Sequence, residues 1–200
     1  MGIQMIKVGL TGNIGSGKTT VCRVFEMLDI PVYYADAEAR KFLNSPEVTD
    51  QLQILFGKDI LDATGKPDRK KIAGIVFRDK ERLNQLNDII HPLVRQDFEV
   101  WLQTHSSSPY AIQEAAILFE TGHYRQFDKT IMVTAPRQVR IERVCRRDKV
   151  SVSEVEERMQ NQADQSELEK LADITIHNDG KLLVIPQILR IHEQLAGTIS

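Results

Sequence analysis

Apolar residues along the chain alternate between a strand-like and a helix-like spacing. Short β-branched or apolar runs lie near residues 5–10, 32–35, 110–118, 130–134 and 173–177. Between them apolar residues recur at spacings of three and four, as at Val21, Val24, Phe25 and Leu28. This alternation predicts an α/β fold with three α/β/α layers and an open, mainly parallel sheet of about five strands.

A long middle segment keeps the helical spacing without strands between its helices. From Pro46 to about His105, Gly57 is expected to end one helix, and Pro92 is expected to end or kink another. A short helix is predicted over Arg69–Phe77. We therefore expect a single domain over 1–200, in which 37–106 form a helical substrate-binding insertion and 138–171 a helical lid. The core would comprise 1–36, 107–137 and 172–200.

The stretch Gly12–Thr19, which reads Gly-Asn-Ile-Gly-Ser-Gly-Lys-Thr, fits the phosphate-binding loop pattern between a strand and a helix. Its glycines allow a tight turn, so that successive N–H groups and the helix start hold an anion. Lys18 would reach the phosphates of ATP, and the Thr19 hydroxyl would ligate Mg²⁺. The alternative is a Gly/Ser-rich connection with a solvated lysine. The expected nucleotide-binding residues are Asn13, Ile14, Gly15, Ser16, Gly17, Lys18, Thr19 and Thr20.

Polar residues after the second predicted strand and within the insertion are candidates for binding a second substrate. Asp36 ends the strand near 32–35, where parallel sheets place their ligands, and Arg40 lies one turn further on. Asp36 could instead only cap the helix that follows. His91 and Arg95 lie one turn apart, with Arg69 nearby in sequence; the alternative for these three is a basic surface with a histidine at a helix end.

Two further groups of charged residues need a partner. Glu114 interrupts a small or apolar strand, so it would serve a ligand, Mg²⁺ or a basic residue, or lie at the exposed end of the strand. The predicted helix over 137–148 carries five arginines, four of them within an arc of about 120°. These four are either a solvated face paired with surface acids or clamps that close over phosphates: Arg137, Arg140, Arg143 and Arg147.

Composition limits which binding partners and which cellular compartment we expect for this protein. The net charge of −2 gives no general grip on nucleic acid, and no apolar run approaches membrane-spanning length. Met1–Met5 lack a signal-peptide layout, and Cys22 and Cys145 fit reduced thiols of a cytosolic protein better than a disulfide or metal site. We expect a cytoplasmic monomer or weak homo-oligomer that acts on a small molecule, with no nucleic acid or membrane partner.

Several separated blocks of sequence occur in an order that characterises one family. They are Gly9–Thr19, Ala35–Arg40, Phe56-Gly57, Val76-Phe77, His91-Pro92, Leu118–Glu120, Arg143 with Arg147-Asp148, Gln162, and Ala172-Asp173 with Asn178–Gly180. With these blocks the chain resembles the dephospho-coenzyme A kinases over nearly its whole length. The resemblance implies a phosphate-loop kinase fold with a coenzyme-A-binding helical subdomain and an arginine-bearing lid. It also implies ATP-dependent phosphorylation, with Mg²⁺, of the ribose 3′-hydroxyl of dephospho-coenzyme A, the last step of coenzyme A synthesis.

The resemblance also implies roles for individual residues. Asp36 would take the hydroxyl proton, Lys18 and Thr19 would hold phosphate and magnesium, and Arg143 and Arg147 would be lid arginines. The implied catalytic residues are Asp36, Lys18, Arg143 and Arg147, the substrate-binding residues are Asp36, Arg40, Arg69, His91 and Glu114, and Asn178 joins the ATP-binding residues.

The chain departs from the family pattern at three places. Glu114-Ala115-Ala116 stands where Asp-x-Pro is usual, Arg140 where glutamine is usual, and Asn13 where glycine is frequent. None of these changes removes a charge that the mechanism needs.

Two other functions compete with this one. A nucleoside or nucleoside monophosphate kinase would share the fold, although Arg40, His91 and the long insertion favour a bulky acceptor. A nucleotide-dependent switch of the GTPase kind would be expected to carry an Asn-Lys-x-Asp guanine reader, and Asn178-Asp179-Gly180 lacks the lysine.

Overall fold

A five-stranded, all-parallel sheet organises the part of the chain that the computed structural model describes, residues 5–76 and 79–197. Its strands are β1 (Ile6–Thr11), β2 (Val32–Tyr34), β3 (Tyr110–Glu114), β4 (Lys129–Thr134) and β5 (Ile174–His177). They lie in the order β2-β3-β1-β4-β5, which confirms the predicted architecture. Since β3 and β4 flank β1 on opposite sides, the connection after β1 lies where the strand order reverses, the usual ligand position in open α/β sheets.

Helices make up most of the remaining described chain. They are α1 (Lys18–Met27), α2 (Ala35–Phe42), α3 (Pro46–Phe56), α4 (Arg69–Val76), α5 (Lys80–Thr104), α6 (Arg137–Asp148), α7 (Val152–Gln160), α8 (Gln165–Leu171) and α9 (Val184–Leu195), with short 3₁₀ turns at Lys58–Ile60 and His123–Gln126. Among the described residues, none of these helices combines the length and the apolar character needed to cross a bilayer.

The described residues divide into two compact units. The first takes the described parts of Met1–Tyr34 and His105–Ser200 and carries the whole sheet, and the second takes those of Ala35–Thr104. In the first unit, buried apolar residues of the strands, such as Leu10 and Ile112, form one core with Phe25 of α1 and Ile188 of α9. In the second unit, α2, α3 and α4 each pack on α5.

Local sequence accounts for several helix ends, and the predicted end at Gly57 is confirmed. Gly57 is the C-cap of α3 at φ +87°, and Ser151 and Glu154 form a capping box at the start of α7. Helix α9 begins at Val184, so that Pro186 lies in its first turn, where a missing N–H costs little. Phe77 of the predicted short helix lies outside the described residues, and the described helix ends at Val76.

The structure excludes a helix end at Pro92, and the predicted end of β3 is wrong. Helix α5 continues through Pro92 instead of ending there, and its buried residues Ile90, Val94 and Phe98 recur every four positions on both sides of the proline. Burial of that continuous face outweighs one lost backbone hydrogen bond. Strand β3 ends at Glu114 rather than near residue 118, because its parallel register with β1 runs out at Leu10↔Glu114.

Candidate active site

The predicted phosphate loop connects β1 to α1, and Gly17 is the N-cap of α1 at φ +100°. Gly15 has φ +79°, and a Cβ there would lie 2.6 Å from the carbonyl oxygen of Arg140. A Cβ on Gly17 would overlap the side-chain amide of Asn178. Both glycines are therefore required by the backbone conformation and by close neighbours.

Lys18 and Glu114 lie close together in the first unit. A basic partner was one of the alternatives expected for a carboxylate in this strand. The Lys18 ammonium donates to the Gly12 carbonyl at 2.7 Å and lies 3.9 Å from the Glu114 carboxylate. Glu114 is 9% exposed at the last position of β3. Of the alternatives for Glu114, the structure thus shows a buried carboxylate with a basic partner rather than an exposed strand end.

Arg143 and Asn178 together hold the backbone of the phosphate loop. The Arg143 guanidinium donates to the carbonyls of Gly15 and Ser16 at 3.5 and 3.4 Å, and to the Asn178 side-chain oxygen at 3.1 Å. The Asn178 amide nitrogen donates to the Ser16 carbonyl at 2.8 Å. Arg143 and Asn178 are far apart in sequence, and together they hold the Gly15 and Ser16 carbonyls on one side of the loop.

The tip of the loop is held by the link between α7 and α8. The Ile14 N–H donates to the Gln162 side-chain oxygen at 2.8 Å, and the Asn13 side chain donates to the Ala163 carbonyl at 3.0 Å. Gln162 is one of the residues that carry the family resemblance, but nothing in its local pattern indicates a hydrogen bond to a distant loop.

The arginines of α6 do not form one set of clamps. Arg137 pairs with Glu156 at 2.6 Å, and Arg147 pairs with Asp148 at 2.7 Å, a hydrogen bond that raises the pKa of Arg147. Within the described chain, the hydrogen bonds and ion pairs of Arg147 do not include the phosphate loop. In this arrangement Arg137 and Arg147 pair with acidic side chains, whereas Arg143 donates hydrogen bonds to carbonyls of the loop.

The protein residues around Thr19 suit a metal that arrives with the nucleotide. Thr19 and Thr20 lie exposed in the first turn of α1. Across residues 5–76 and 79–197, no group of three or more His, Cys, Asp or Glu side chains is arranged to hold a metal ion. Mg²⁺ commonly binds through one or two protein oxygens, phosphates and water, so a hydroxyl beside a phosphate loop fits that mode of binding.

The cysteine of α1 is not a reactive group. Cys22 is buried, and burial, together with the negative charges of Glu114 and Glu26, raises the pKa of its thiol. Cys145 is half-buried, and both thiols are free, as predicted.

Four predicted acceptor-side residues, Asp36, Arg40, Arg69 and His91, belong to the second unit. The Arg69 guanidinium donates to the Arg40 carbonyl at 3.2 Å, and both side chains are exposed. Asp36 lies inside the first turn of α2 rather than before it, so the interpretation of Asp36 as an N-cap is wrong. Its side chain is exposed and available to a ligand.

His91 lies on α5, which packs against α2. Burial lowers the pKa of His91, the positive charge of Arg95 lowers it further, and the negative charges of Asp88 and Asp36 oppose that shift. Asp36 and His91 therefore lie close enough within the second unit for the charge of one to act on the other.

Comparison with known families gives one consistent result. A family model described as dephospho-CoA kinase matches residues 6–183. A dephospho-CoA kinase from Leptospira interrogans is 39% identical over 183 residues, which is 90% of this chain and 88% of the relative. One from Porphyromonas gingivalis is 41% identical over 192 residues, with 94% of each chain covered.

Solved structures agree with the family comparison. A crystal structure from Thermus thermophilus, 31% identical, covers 98% of this chain and 99% of its own with a TM-score of 0.84. A dephospho-CoA kinase from Campylobacter jejuni, 27% identical, covers 96% of this chain and 98% of its own with a TM-score of 0.69.

Proposed function

The chain belongs to the dephospho-CoA kinase family, and from that premise we propose how its residues transfer phosphate from ATP to the ribose 3′-hydroxyl of dephospho-CoA. The enzyme is a kinase of coenzyme A biosynthesis. The observation that carries the assignment of residues is the phosphate loop with Lys18 beside it and with its carbonyls held by Arg143 and Asn178.

On the nucleotide side, the phosphate-loop residues 13–20 and the Lys18 ammonium would bind the ATP phosphates. Lys18 donates to the neutral Gly12 carbonyl and lies 3.9 Å from Glu114, so it could exchange the carbonyl for an ion pair with phosphate. The Thr19 hydroxyl would hold Mg²⁺, which would neutralise charge on the phosphates. Asn178 would complete the nucleotide site.

On the acceptor side, Asp36 would orient the 3′-hydroxyl and accept its proton. An exposed carboxylate that follows the last residue of β2 by two positions suits this role. Phosphoryl transfer needs mostly positioning and charge neutralisation, with a base contributing about 10²–10⁴-fold. Arg40, Arg69 and His91 would bind the acceptor, whose phosphates need cationic partners.

The lid would supply the remaining positive charge. Arg143 already lies at the phosphate loop, while Arg147 is held by Asp148 on the same helix. For Arg147 to reach the transferred phosphate it would have to leave that surface ion pair, which costs little because exposed pairs contribute only about 0–1 kcal/mol. Lid closure would also exclude water and limit hydrolysis of ATP.

We also propose that the enzyme works in the cytoplasm as a monomer or weak homo-oligomer, without nucleic acid. The support is a net charge of −2, which gives no broad basic surface, and two free thiols, which are typical of a reducing compartment. Light scattering on the purified protein measures the oligomeric state.

The experiment that tests the function is a coupled ADP-release assay with ATP, Mg²⁺ and a panel of acceptors. We expect turnover with dephospho-CoA, and none above background with nucleosides, nucleoside monophosphates or no acceptor. Faster turnover with a nucleoside monophosphate would contradict the assignment of the acceptor. Lys18→Ala serves as the control for contaminating kinases, because it should abolish the signal with every acceptor.

A further inference from the structure

A cavity of about 270 Å³ lies among the tip of the phosphate loop, α6 and the α7–α8 link. It lies wholly within the first unit, and Asn13, Arg137, Arg140, Glu156, Gln162 and Asp164 are among the residues that line it. The volume is several times the roughly 30 Å³ that a water molecule takes in the liquid, so it has room for a tetrahedral oxyanion.

Arg140 gives this cavity a positive charge that has no ion-pair partner among the described residues. The residue is only 8% exposed, and its buried Nε has no hydrogen-bond partner among the described residues. No ion pair of Arg140 occurs in that part of the chain either. Burial and the neighbouring charge of Arg137 lower the pKa of Arg140, while the negative charge of Asp164 opposes that shift. A largely buried arginine without an ion-pair partner is stabilised when an anion joins it.

Asn13 offers the cavity a hydrogen-bond acceptor. Its side-chain nitrogen donates to the Ala163 carbonyl, which fixes the orientation of the amide. Its Oδ1 is buried and has no donor among the described residues, and the residue is 4% exposed. An occupant must therefore accept hydrogen bonds from Arg140 and also donate one to Asn13. Water could satisfy the oxygen of Asn13, but a neutral molecule leaves Arg140 without an ion-pair partner.

The carboxylates around the cavity are engaged elsewhere. Glu156 pairs with Arg137 at 2.6 Å, and Asp164 accepts from the backbone N–H groups of Ser166 and Glu167, which caps α8. Neither comes within ion-pair distance of Arg140 in the described structure.

We propose that Arg140 and Asn13 form a second phosphoryl-binding site beside the phosphate loop, which takes a phosphate group that still carries a P–O–H proton. Free hydrogen phosphate has this chemistry at neutral pH, and the terminal phosphate of ATP has it when singly protonated. Binding of free hydrogen phosphate would be independent of the proposed function. Binding of the terminal phosphate of ATP rests on the proposed function. Because the Arg140 carbonyl touches Gly15, the occupant would lie next to the backbone that holds the nucleotide.

The test is equilibrium dialysis of the full chain with radiolabelled inorganic phosphate, in the presence of Mg²⁺ and a saturating non-hydrolysable ATP analogue that fills the phosphate loop. We expect about one phosphate per chain to remain bound. Arg140→Gln should weaken this binding at least tenfold, because it removes the charge and keeps a polar side chain. Arg146→Gln, which removes the same charge from an exposed position on α6, should leave it unchanged.

The second arm measures the affinity for ATP analogue and for ADP by calorimetry. The terminal phosphate of ATP is the occupant if two results occur together. The wild type, with the analogue bound, retains no free phosphate, and Arg140→Gln binds the ATP analogue at least tenfold more weakly than the wild type but binds ADP normally. If a folded Arg140→Gln protein, checked by circular dichroism, binds phosphate, ATP analogue and ADP like the wild type, the proposal is overturned. Neither dialysis nor calorimetry requires turnover, so failure of the acceptor assay would not be mistaken for failure of this site.

Discussion

Single side chains carry the charges that the proposed reaction needs, and Asp36, as the proposed proton acceptor, is the one whose role is easiest to test. Asp36→Asn keeps the size and removes the proton acceptor, so we expect turnover to fall about 10²–10⁴-fold while the affinity for ATP stays within a few fold. Steady-state kinetics and calorimetry measure the two quantities. Glu38→Gln is the matched control, since Glu38 lies on the same helix and pairs with Lys41. Equal losses in both variants would show that α2, rather than the base, was damaged.

His91 makes the stability of the folded chain depend on pH in a defined direction. Its pKa is lowered from 6.5 by burial and by Arg95, so the unfolded chain binds a proton at a higher pH than the folded chain. Stability should therefore fall as the pH drops below about 6.5 and be unaffected by His91 above it. We expect the free energy of unfolding of His91→Gln to change less between pH 7.5 and 5.5 than that of the wild type. Urea denaturation at both values measures it, and identical changes would refute the assignment.

The contacts of single residues were predictable where a motif or a burial argument specifies them, and unpredictable where the packing of side chains decides them. The motif spacing identified the loop residues and Lys18, and the cost of a buried carboxylate correctly indicated that Glu114 has a partner. Helical periodicity grouped four arginines on one arc, yet ion pairs with Glu156 and Asp148 divide them. Such pairs depend on the rotamers of neighbouring helices, which a one-dimensional pattern does not contain. The functional roles of all the site residues, those of the phosphate loop included, remain predictions.

The phosphate loop, as an element, depends on the close approach of Gly15 to α6. Gly15→Ala would place a Cβ 2.6 Å from a backbone carbonyl and force alanine into φ +79°. The strain alone costs about 1–2 kcal/mol, and the clash should add to it and displace the loop. Gly65→Ala isolates the strain, because Gly65 has φ +80° with no atom within 4 Å of the added Cβ.

We therefore expect Gly65→Ala to lose only about 1–2 kcal/mol of stability with normal turnover. Gly15→Ala should lose more stability and at least 100-fold in turnover, because a displacement of about 1 Å at a reacting group can cost that much. Chemical denaturation and the ADP-release assay provide the measurements. If the two variants behave alike, the contact between the loop and α6 is unimportant.

Element types were more predictable than element ends. Hydrophobic spacing identified all five strands, whereas the end of β3 depends on where its partner strands stop. Pro92 shows the same limitation. A local rule predicted that a helix ends or kinks at the proline, whereas burial of Ile90, Val94 and Phe98 favours one helix that continues through it. Helix α8 was not distinguished from the rest of the lid region, because its seven residues offer too short a pattern.

For the whole molecule, ligand binding should appear as added thermal stability. A non-hydrolysable ATP analogue with Mg²⁺ at about 100 times its dissociation constant adds about 2.7 kcal/mol, which corresponds to about 5–10 °C for a chain of this size. Lys18→Ala should reduce the shift to below about 2 °C. Lys41→Ala, which removes an exposed lysine, should keep it. Scanning fluorimetry measures the midpoints, and a full shift in Lys18→Ala would contradict nucleotide binding at the loop.

The hold of Arg143 and Asn178 on the Gly15 and Ser16 carbonyls has a kinetic consequence. A loop whose conformation is maintained before any encounter needs no slow rearrangement to receive a polyphosphate. The association rate of the nucleotide should then be governed by diffusion and ionic strength. Differences in affinity among nucleotides should arise mainly from their dissociation rates.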